Sequence, residues 1–215
     1  MKTIAVLGSG NVGETLANGF LKHGHEVMRG SRDPAKLAAW KGAAGPKARA
    51  GTFAEAARFG EIAVLAVKGT AALSAVALTE GALEGKVVLD ATNPIADAAP
   101  EDGVLQFFTG PNDSLLERLQ KASPKVRFVK AFSSVGAACM VNPDLGGARP
   151  SMFICGDDHG ARDTARGVLD VFGWDTEDMG TSKAARAIEP LCMLWCIPGF
   201  LKNDWAHAFK VLRKS

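Results

Sequence analysis

The sequence predicts an α/β protein: a doubly wound, mostly parallel sheet with a small C-terminal α/β cap. Three observations carry this. Short apolar, β-branched runs at 3–7, 61–67, 86–91 and 125–132 alternate with stretches of helical periodicity, the pattern of strands covered on both faces. A glycine-rich turn, Gly8-Ser9-Gly10-Asn11-Val12-Gly13, joins the first strand to the first helix. The 215 residues, 47% of them apolar, are enough for one large domain or for a large and a small one.

The elements follow in order. After the strand at 3–7, residues 12–21 place Val12, Leu16, Phe20 and Leu21 at helical spacing, and Gly24 ends that helix. A second strand starts at 26–28. Asp33 caps a short helix over 34–41 that begins at Pro34. Residues 42–51, rich in Gly, Ala and Pro, read as a loop, and 54–58 as a short helix before the strand at 61–67. Thr70 is the expected cap of a helix reaching 78. The strand at 86–91 stops at Asn93-Pro94, since proline forces its predecessor into an extended conformation. A long loop spans 95–112, a length common in functional lids. A helix over 113–122, capped by Asp113 or Ser114, leads to the strand at 125–132 and the polar turn Ser133-Ser134. From 142 to 150 the chain is Gly/Pro/Asn-rich, which divides it into 1–141 and 142–215. The second part holds a strand at 151–155, a helix to 172 capped by Asp157 or Asp158, an extended segment at 174–178, a helix over 181–196 broken by Pro198-Gly199, and a final helix over 201–213.

The glycine turn has a chemical reading. Gly8 permits a tight turn, Gly10 lets a pyrophosphate approach the backbone, and Gly13 lets the helix pack closely on the strand. The helix start offers free N–H groups and a positive dipole end to phosphates. At the end of the second strand, where a carboxylate would select NAD, the chain has Arg29-Gly30-Ser31-Arg32, with Lys36 one turn later. Guanidinium, hydroxyl and ammonium groups suit the extra 2′-phosphate of NADP(H). The cofactor-binding set is therefore Gly8, Ser9, Gly10, Asn11, Val12, Gly13, Ser31, Arg32 and Lys36, with Val67, Lys68, Asn93 and Pro94 at the carboxyl ends of the next strands. Lys68 serves equally well as a solvated loop residue. On the nicotinamide side the candidates are Asn93, Ser133 and His207, although for His207 a buried structural role carries more weight.

Other classes are disfavoured. A net charge of +2, from 25 basic and 23 acidic residues, points to neither nucleic acid nor a membrane surface. Cys139, Cys155, Cys192 and Cys196 form no C-x-x-C pair, so no metal site is expected. The sequence starts directly in a strand, and its longest apolar runs fall short of a bilayer span, so a cytoplasmic protein is expected. Without tyrosine, the Tyr-x-x-x-Lys acid of short-chain dehydrogenases is excluded.

With these residues laid out, the chain resembles the F420-dependent NADP oxidoreductase family over nearly its whole length. The resemblance rests on GSGNVG at 8–13, GSRDPAK at 30–36, the Asn-Pro turn at 93–94, KAFSSVGA at 130–137, FICGDD at 153–158 and DMGTSKAARAIEPL at 178–191. It implies a Rossmann domain holding NADP(H), with Ser31, Arg32 and Lys36 at the positions that bind the 2′-phosphate. It further implies a C-terminal part that helps enclose a deazaflavin (F420) or flavin acceptor and contributes to a homodimer. Many relatives have Asn-Thr where this chain has Ser133-Ser134, which shortens the reach at that point. The expected reaction is hydride transfer between NADPH and such a small-molecule acceptor. The alternatives are an NADPH-dependent carbonyl or imine reductase, for which Lys183 and Arg186 are candidate proton donors, and a non-catalytic NADP(H)-sensing module. A membrane-associated ferric reductase domain is disfavoured by the expected absence of a membrane segment.

Overall fold

The computed structural model describes residues 1–214. Strand β1 (Thr3–Leu7) runs through the glycine turn into α1 (Asn11–Lys22) and returns as β2 (Glu26–Gly30). A 3-10 turn (Pro34–Leu37) precedes α2 (Ala38–Ala43), so the helix expected over 34–41 begins more tightly wound and ends two residues later. Strand β3 (Ala48–Gly51) then pairs in parallel with β2. The Gly/Ala/Pro-rich composition of 42–51 predicts a loop here. The residues of β3, Ala-Arg-Ala-Gly, have no β propensity, and pairing with β2 alone makes it a strand.

Helix α3 (Phe53–Phe59) is opened by a capping box between Thr52 and Glu55. Strand β4 (Ile62–Leu65) follows. Thr70 caps nothing: a 3-10 turn (Gly69–Ala71) leads into α4 (Ala72–Ala77) with no side-chain cap. Then come β5 (Val87–Asp90), α5 (Leu115–Ala122) and β6 (Arg127–Lys130). Of the two proposed caps for α5, Ser114 is the one used; it accepts from the Glu117 N–H. The sheet order is β3-β2-β1-β4-β5-β6, all parallel. Chain order reverses between β1 and β4, and the carboxyl ends of these strands open a crevice where doubly wound sheets bind ligands. One apolar core lies on each face of the sheet.

The last third adds β7 (Ser151–Ile154), α6 (His159–Val171) and β8 (Asp175–Asp178), a parallel two-stranded sheet with its helix. An antiparallel bridge between Lys130 and Cys155 links it to β6. Asp158 caps α6, while Asp157 accepts from the Ser182 N–H and hydroxyl. Met152, Ile154, Leu169 and Trp174 share one apolar core with Ile4 and Val6.

Two expectations fail at the C-terminal end. Helices α7 (Ala185–Ile188) and α8 (Pro190–Lys202) run on through Pro198 to Lys202. Pro198 withholds one N–H, but burial of Trp195 and the fit of Gly199 against Trp205 hold the flanking turns: a Cβ on Gly199 would lie 2.3 Å from that indole. The helix expected over 201–213 is absent. Asn203 turns left-handed, with φ 55°, and the chain leaves the helix. Beyond it the Phe209 carbonyl accepts from the Ser151 N–H and the Val211 N–H donates to Ser151 Oγ, pairings a helix would forbid. Continuity through Pro198 also overturns the apolar-length expectation. The 21-residue helical stretch Ser182–Lys202 contains an 18-residue window with mean hydropathy 1.3, enough by length and composition to cross a bilayer, and 39% of that window is buried inside the molecule.

Candidate functional site: a two-part cleft at the carboxyl edge of the sheet

The first part of the cleft is a cavity of about 270 Å³ lined by the glycine turn, by Ser31, Arg32 and Lys36 after β2, and by Val67 and Lys68 after β4. The three glycines serve different ends. A Cβ on Gly8 would lie 2.1 Å from the Ala66 carbonyl oxygen, and one on Gly13 would lie 2.8 Å from the Gly8 carbonyl oxygen, so the fold itself requires both. Gly10 has an ordinary φ of −81° and nothing within 4 Å of where its Cβ would stand. Within the protein nothing demands glycine there; a ligand pressed on the backbone would. No side chain caps α1, so its first N–H groups are open, as an anion site requires. Asn11 is exposed at the helix start, and Val12 packs against the core, so what it offers the site is its backbone.

Arg29 corrects the sequence reading. Its side chain is 1% exposed and lies beneath the glycine turn rather than at the ribose end. It donates to the carbonyls of Gly8 (3.3 Å) and Gly10 (3.0 Å), pairs with Glu14 (3.1 Å) and stacks over Trp40. By holding these carbonyls inward it leaves the outer face of the turn to N–H groups. Burial lowers its pKa, and Glu14 opposes that shift. An arginine inside a strand, with carbonyl-rich glycines upstream, is the signal that could have revealed this role.

The basic set is therefore Ser31, Arg32 and Lys36. Ser31 is buried, and its Oγ accepts from the Asp33 N–H at 3.1 Å, which leaves the hydroxyl proton to give to a ligand. Asp33 also lines this cavity, and its carboxylate accepts from the Ala35 N–H at 3.2 Å.

The second part is a cavity of about 570 Å³ that shares Val67 and Lys68 with the first. Asn93 and Thr92 line it after β5, and Ile95, Ala96, Ala98 and Ala99 close one side. The long loop thus forms a wall. It is ordered by an Ile95–Phe107 bridge and by the Pro94 carbonyl, which accepts from the Phe108 N–H. Pro94 shapes this hairpin and does not line the cavity. Lys68 stands at the junction, 82% exposed and 3.6 Å from Asp97. A Cβ on Gly69 would lie 1.9 Å from the Asn93 carbonyl oxygen, so this glycine lets the two turns touch.

Asn93 Nδ2 donates to the Ser133 carbonyl at 2.9 Å, bringing together two candidates 40 residues apart. Asn93 Oδ1 and Ser133 Oγ are buried with no partner among the described residues. Buried polar atoms are rarely left so, and water or a bound ligand supplies the partner at such a place. His207 is not brought to the cleft. It stacks on Trp195 at 4.9 Å with Nε2 3.1 Å from the Trp195 carbonyl, and the Trp195 indole donates to the His207 carbonyl. No cluster of three or more potential metal ligands exists among the described residues.

Residues 3–94, from β1 through the Asn93-Pro94 turn, match the family model for NADP oxidoreductase, coenzyme F420-dependent. A solved structure from Arthrobacter sp. FB24, described as a candidate F420-dependent NADP-reductase, superposes with a TM-score of 0.92 at 30% identity, over 99% of this chain and 100% of that one. The chain belongs to the F420-dependent NADP oxidoreductase family. That is a family of NADP-dependent oxidoreductases. The F420-dependent NADP reductase of Methanothermobacter marburgensis is 29% identical over 90% of each chain. Rat metalloreductase STEAP3 is 30% identical over 92% of this chain, which spans 38% of the length of that protein.

Proposed function

We propose that the cleft binds NADP(H) and that the protein moves a hydride between it and a deazaflavin- or flavin-type acceptor. The observation that carries the reading is the convergence of Ser31, Arg32 and Lys36 with the open face of Gly10 on one cavity. The two cations and the Ser31 hydroxyl hold the 2′-phosphate, and the open N–H groups of α1 hold the pyrophosphate. Asn93 Oδ1 and Ser133 Oγ supply an acceptor and a donor for a carboxamide at the nicotinamide end. The larger cavity, walled by small apolar residues, takes a flat ring. When bound, the nicotinamide supplies the hydride, so the chain's own task is alignment and exclusion of water. That task needs no acid or base, and the cavity's polar residues, Lys68, Thr92, Asn93 and Asp97, include no histidine, cysteine or buried carboxylate.

A second copy of the chain is proposed to cover the outer face of α8, where Leu194, Phe200 and Leu201 are exposed. Light scattering on the purified protein reads this directly, and a monomer at micromolar concentration rejects it. For the reaction, NADPH oxidation at 340 nm is followed with F420, FMN and FAD, and separately with a panel of cyclic imines and ketones. Turnover with the ring acceptors supports the proposal. Turnover with imines or ketones alone replaces it with the reductase reading, and NADPH binding without turnover on either panel leaves a sensing module.

A further inference from the structure

Lys130 closes β6 with its side chain wholly buried, in a place the hydride chemistry does not call on. Its ammonium lies 2.6 Å from Asp90 Oδ2 and 2.9 Å from Glu189 Oε1, and donates to the Thr92 carbonyl at 2.8 Å. Of these three oxygens the Thr92 carbonyl takes a hydrogen bond of regular geometry, while Asp90 Oδ2 and Glu189 Oε1 are held by charge. Glu189, at the α7–α8 junction, also accepts the N–H groups of Leu115 and Leu116 in the first turn of α5, at 2.9 and 3.0 Å. Asp90 accepts the N–H and the hydroxyl of Thr92 at 2.9 and 2.6 Å. Burial works against charge on Lys130, but Asp90 and Glu189 outweigh it and raise its pKa, so the cluster stays ionic.

A buried ion cluster is a poor source of stability, because apolar residues of similar volume commonly do as well. Its geometry points elsewhere. Asp90 and Lys130 both grip Thr92, the residue before Asn93. Three residues beyond Lys130, Ser133 receives the Asn93 amide. The turn is therefore held from β5, from β6 and, through Glu189, from the C-terminal helices. Apart from Asp90 Oδ2, which faces the Lys130 ammonium, the buried atoms left without a hydrogen bond here are Asn93 Oδ1 and Ser133 Oγ.

We propose that Lys130, with Asp90 and Glu189, is a positioning residue that fixes the Thr92-Asn93 turn and thereby holds Asn93 Oδ1 and Ser133 Oγ for the nicotinamide end of the cofactor. This rests on the NADP(H) reading above. It separates two halves of one ligand: the 2′-phosphate end depends on Ser31, Arg32 and Lys36, the nicotinamide end on a cluster that touches no ligand.

The test uses two probes on the full chain. Binding of 2′,5′-ADP reads the phosphate half alone, and the fluorescence of bound NADPH reads the nicotinamide half. Two variants are compared with the unaltered protein: Lys130→Met, and the triple variant Asp90→Asn/Lys130→Met/Glu189→Gln, which leaves no buried ion unpaired and decides the matter where the single variant does not fold. The expected result is 2′,5′-ADP affinity within about twofold, with NADPH affinity down about tenfold or more and its bound-state emission changed. Unchanged NADPH affinity and emission in a folded variant overturns the role of Lys130. An equal loss of both ligands also overturns it, since that is general damage. Failure of 2′,5′-ADP to bind the unaltered protein overturns the nucleotide reading itself.

Discussion

At the scale of single residues, charge and space predict different failures. On the proposed NADP(H) reading, Arg32→Ala removes a charge-assisted contact to the 2′-phosphate, an interaction of about 1.5–3 kcal/mol, so NADPH affinity is expected to fall about 10- to 100-fold. NADH, which lacks that phosphate, is expected to bind as before, and calorimetric titration with both nucleotides checks the contrast. Gly10 and Gly8 form a second pair. Gly10→Ala places a methyl in open space at an ordinary φ, so the melting temperature is expected to hold while nucleotide affinity drops. Gly8→Ala drives a Cβ into the Ala66 carbonyl and is expected to destabilise the fold whether or not nucleotide is present. The cysteines differ as well. Burial pushes the Cys155 thiol up to about 12, whereas the hydrogen bond from Cys192 lowers the half-buried Cys196. Alkylation at pH 8, read by peptide mass spectrometry, is expected at Cys196 first and at Cys155 last.

The elements show where local pattern ends and packing takes over. The strand–glycine turn–helix start at 3–22 was legible because apolar period, glycine spacing and loop chemistry agree. Strand β3 was not, since Ala48–Gly51 is a strand only by virtue of β2 beside it. Arg29 was assigned to the wrong place for a related reason: its sequence position is next to the ribose turn, but strand alternation aims it under the glycines. The C-terminal segment is the largest departure. Residues 201–213 have a plausible helical composition, yet the Ser151 pairing and the seat of Trp205 against Gly199 hold residues 203–214 non-helical. Gly199→Ala tests this balance. Alanine favours the helix by about 0.8–1.0 kcal/mol, but its methyl collides with the Trp205 ring. The clash is expected to win, lowering the melting temperature and shifting tryptophan emission to the red as Trp205 leaves its site.

For the whole molecule, pH reports how the last third is attached. Glu117 is held below its ordinary value of 4.5 by hydrogen bonds from Arg186, Asp175 below 3.8 by Lys210, and Glu177 below 4.5 by Arg213. These pairs join α7 to α5 and the C-terminal segment to β8. A carboxylate with a depressed folded pKa stabilises the fold fully above its unfolded value and loses that contribution as pH falls through the folded one. These pairs are therefore expected to leave the melting temperature unaffected above about pH 5 and to lower it as pH drops through and below 4.5. The Lys130 cluster has the opposite sign. A raised lysine contributes fully below its unfolded value of 10.5 and loses that contribution only as pH rises through the folded one, so the titration of Lys130 itself belongs to the alkaline limb. A melting curve that falls equally at pH 6 and pH 4 would remove the carboxylate pairs as the cause.

By itself the sequence determined the doubly wound sheet, the glycine turn and the basic Ser31–Arg32–Lys36 set. Each is written in residues close along the chain, where steric and electrostatic rules act locally. Only the tertiary structure decided that Asn93 meets Ser133, that Arg29 lies beneath the glycine turn, that Lys130 joins Asp90 to Glu189, and that the chain leaves the helix at Asn203. Those contacts link residues tens of positions apart, and the fold chooses them because buried polar groups must find partners wherever packing brings the chain together.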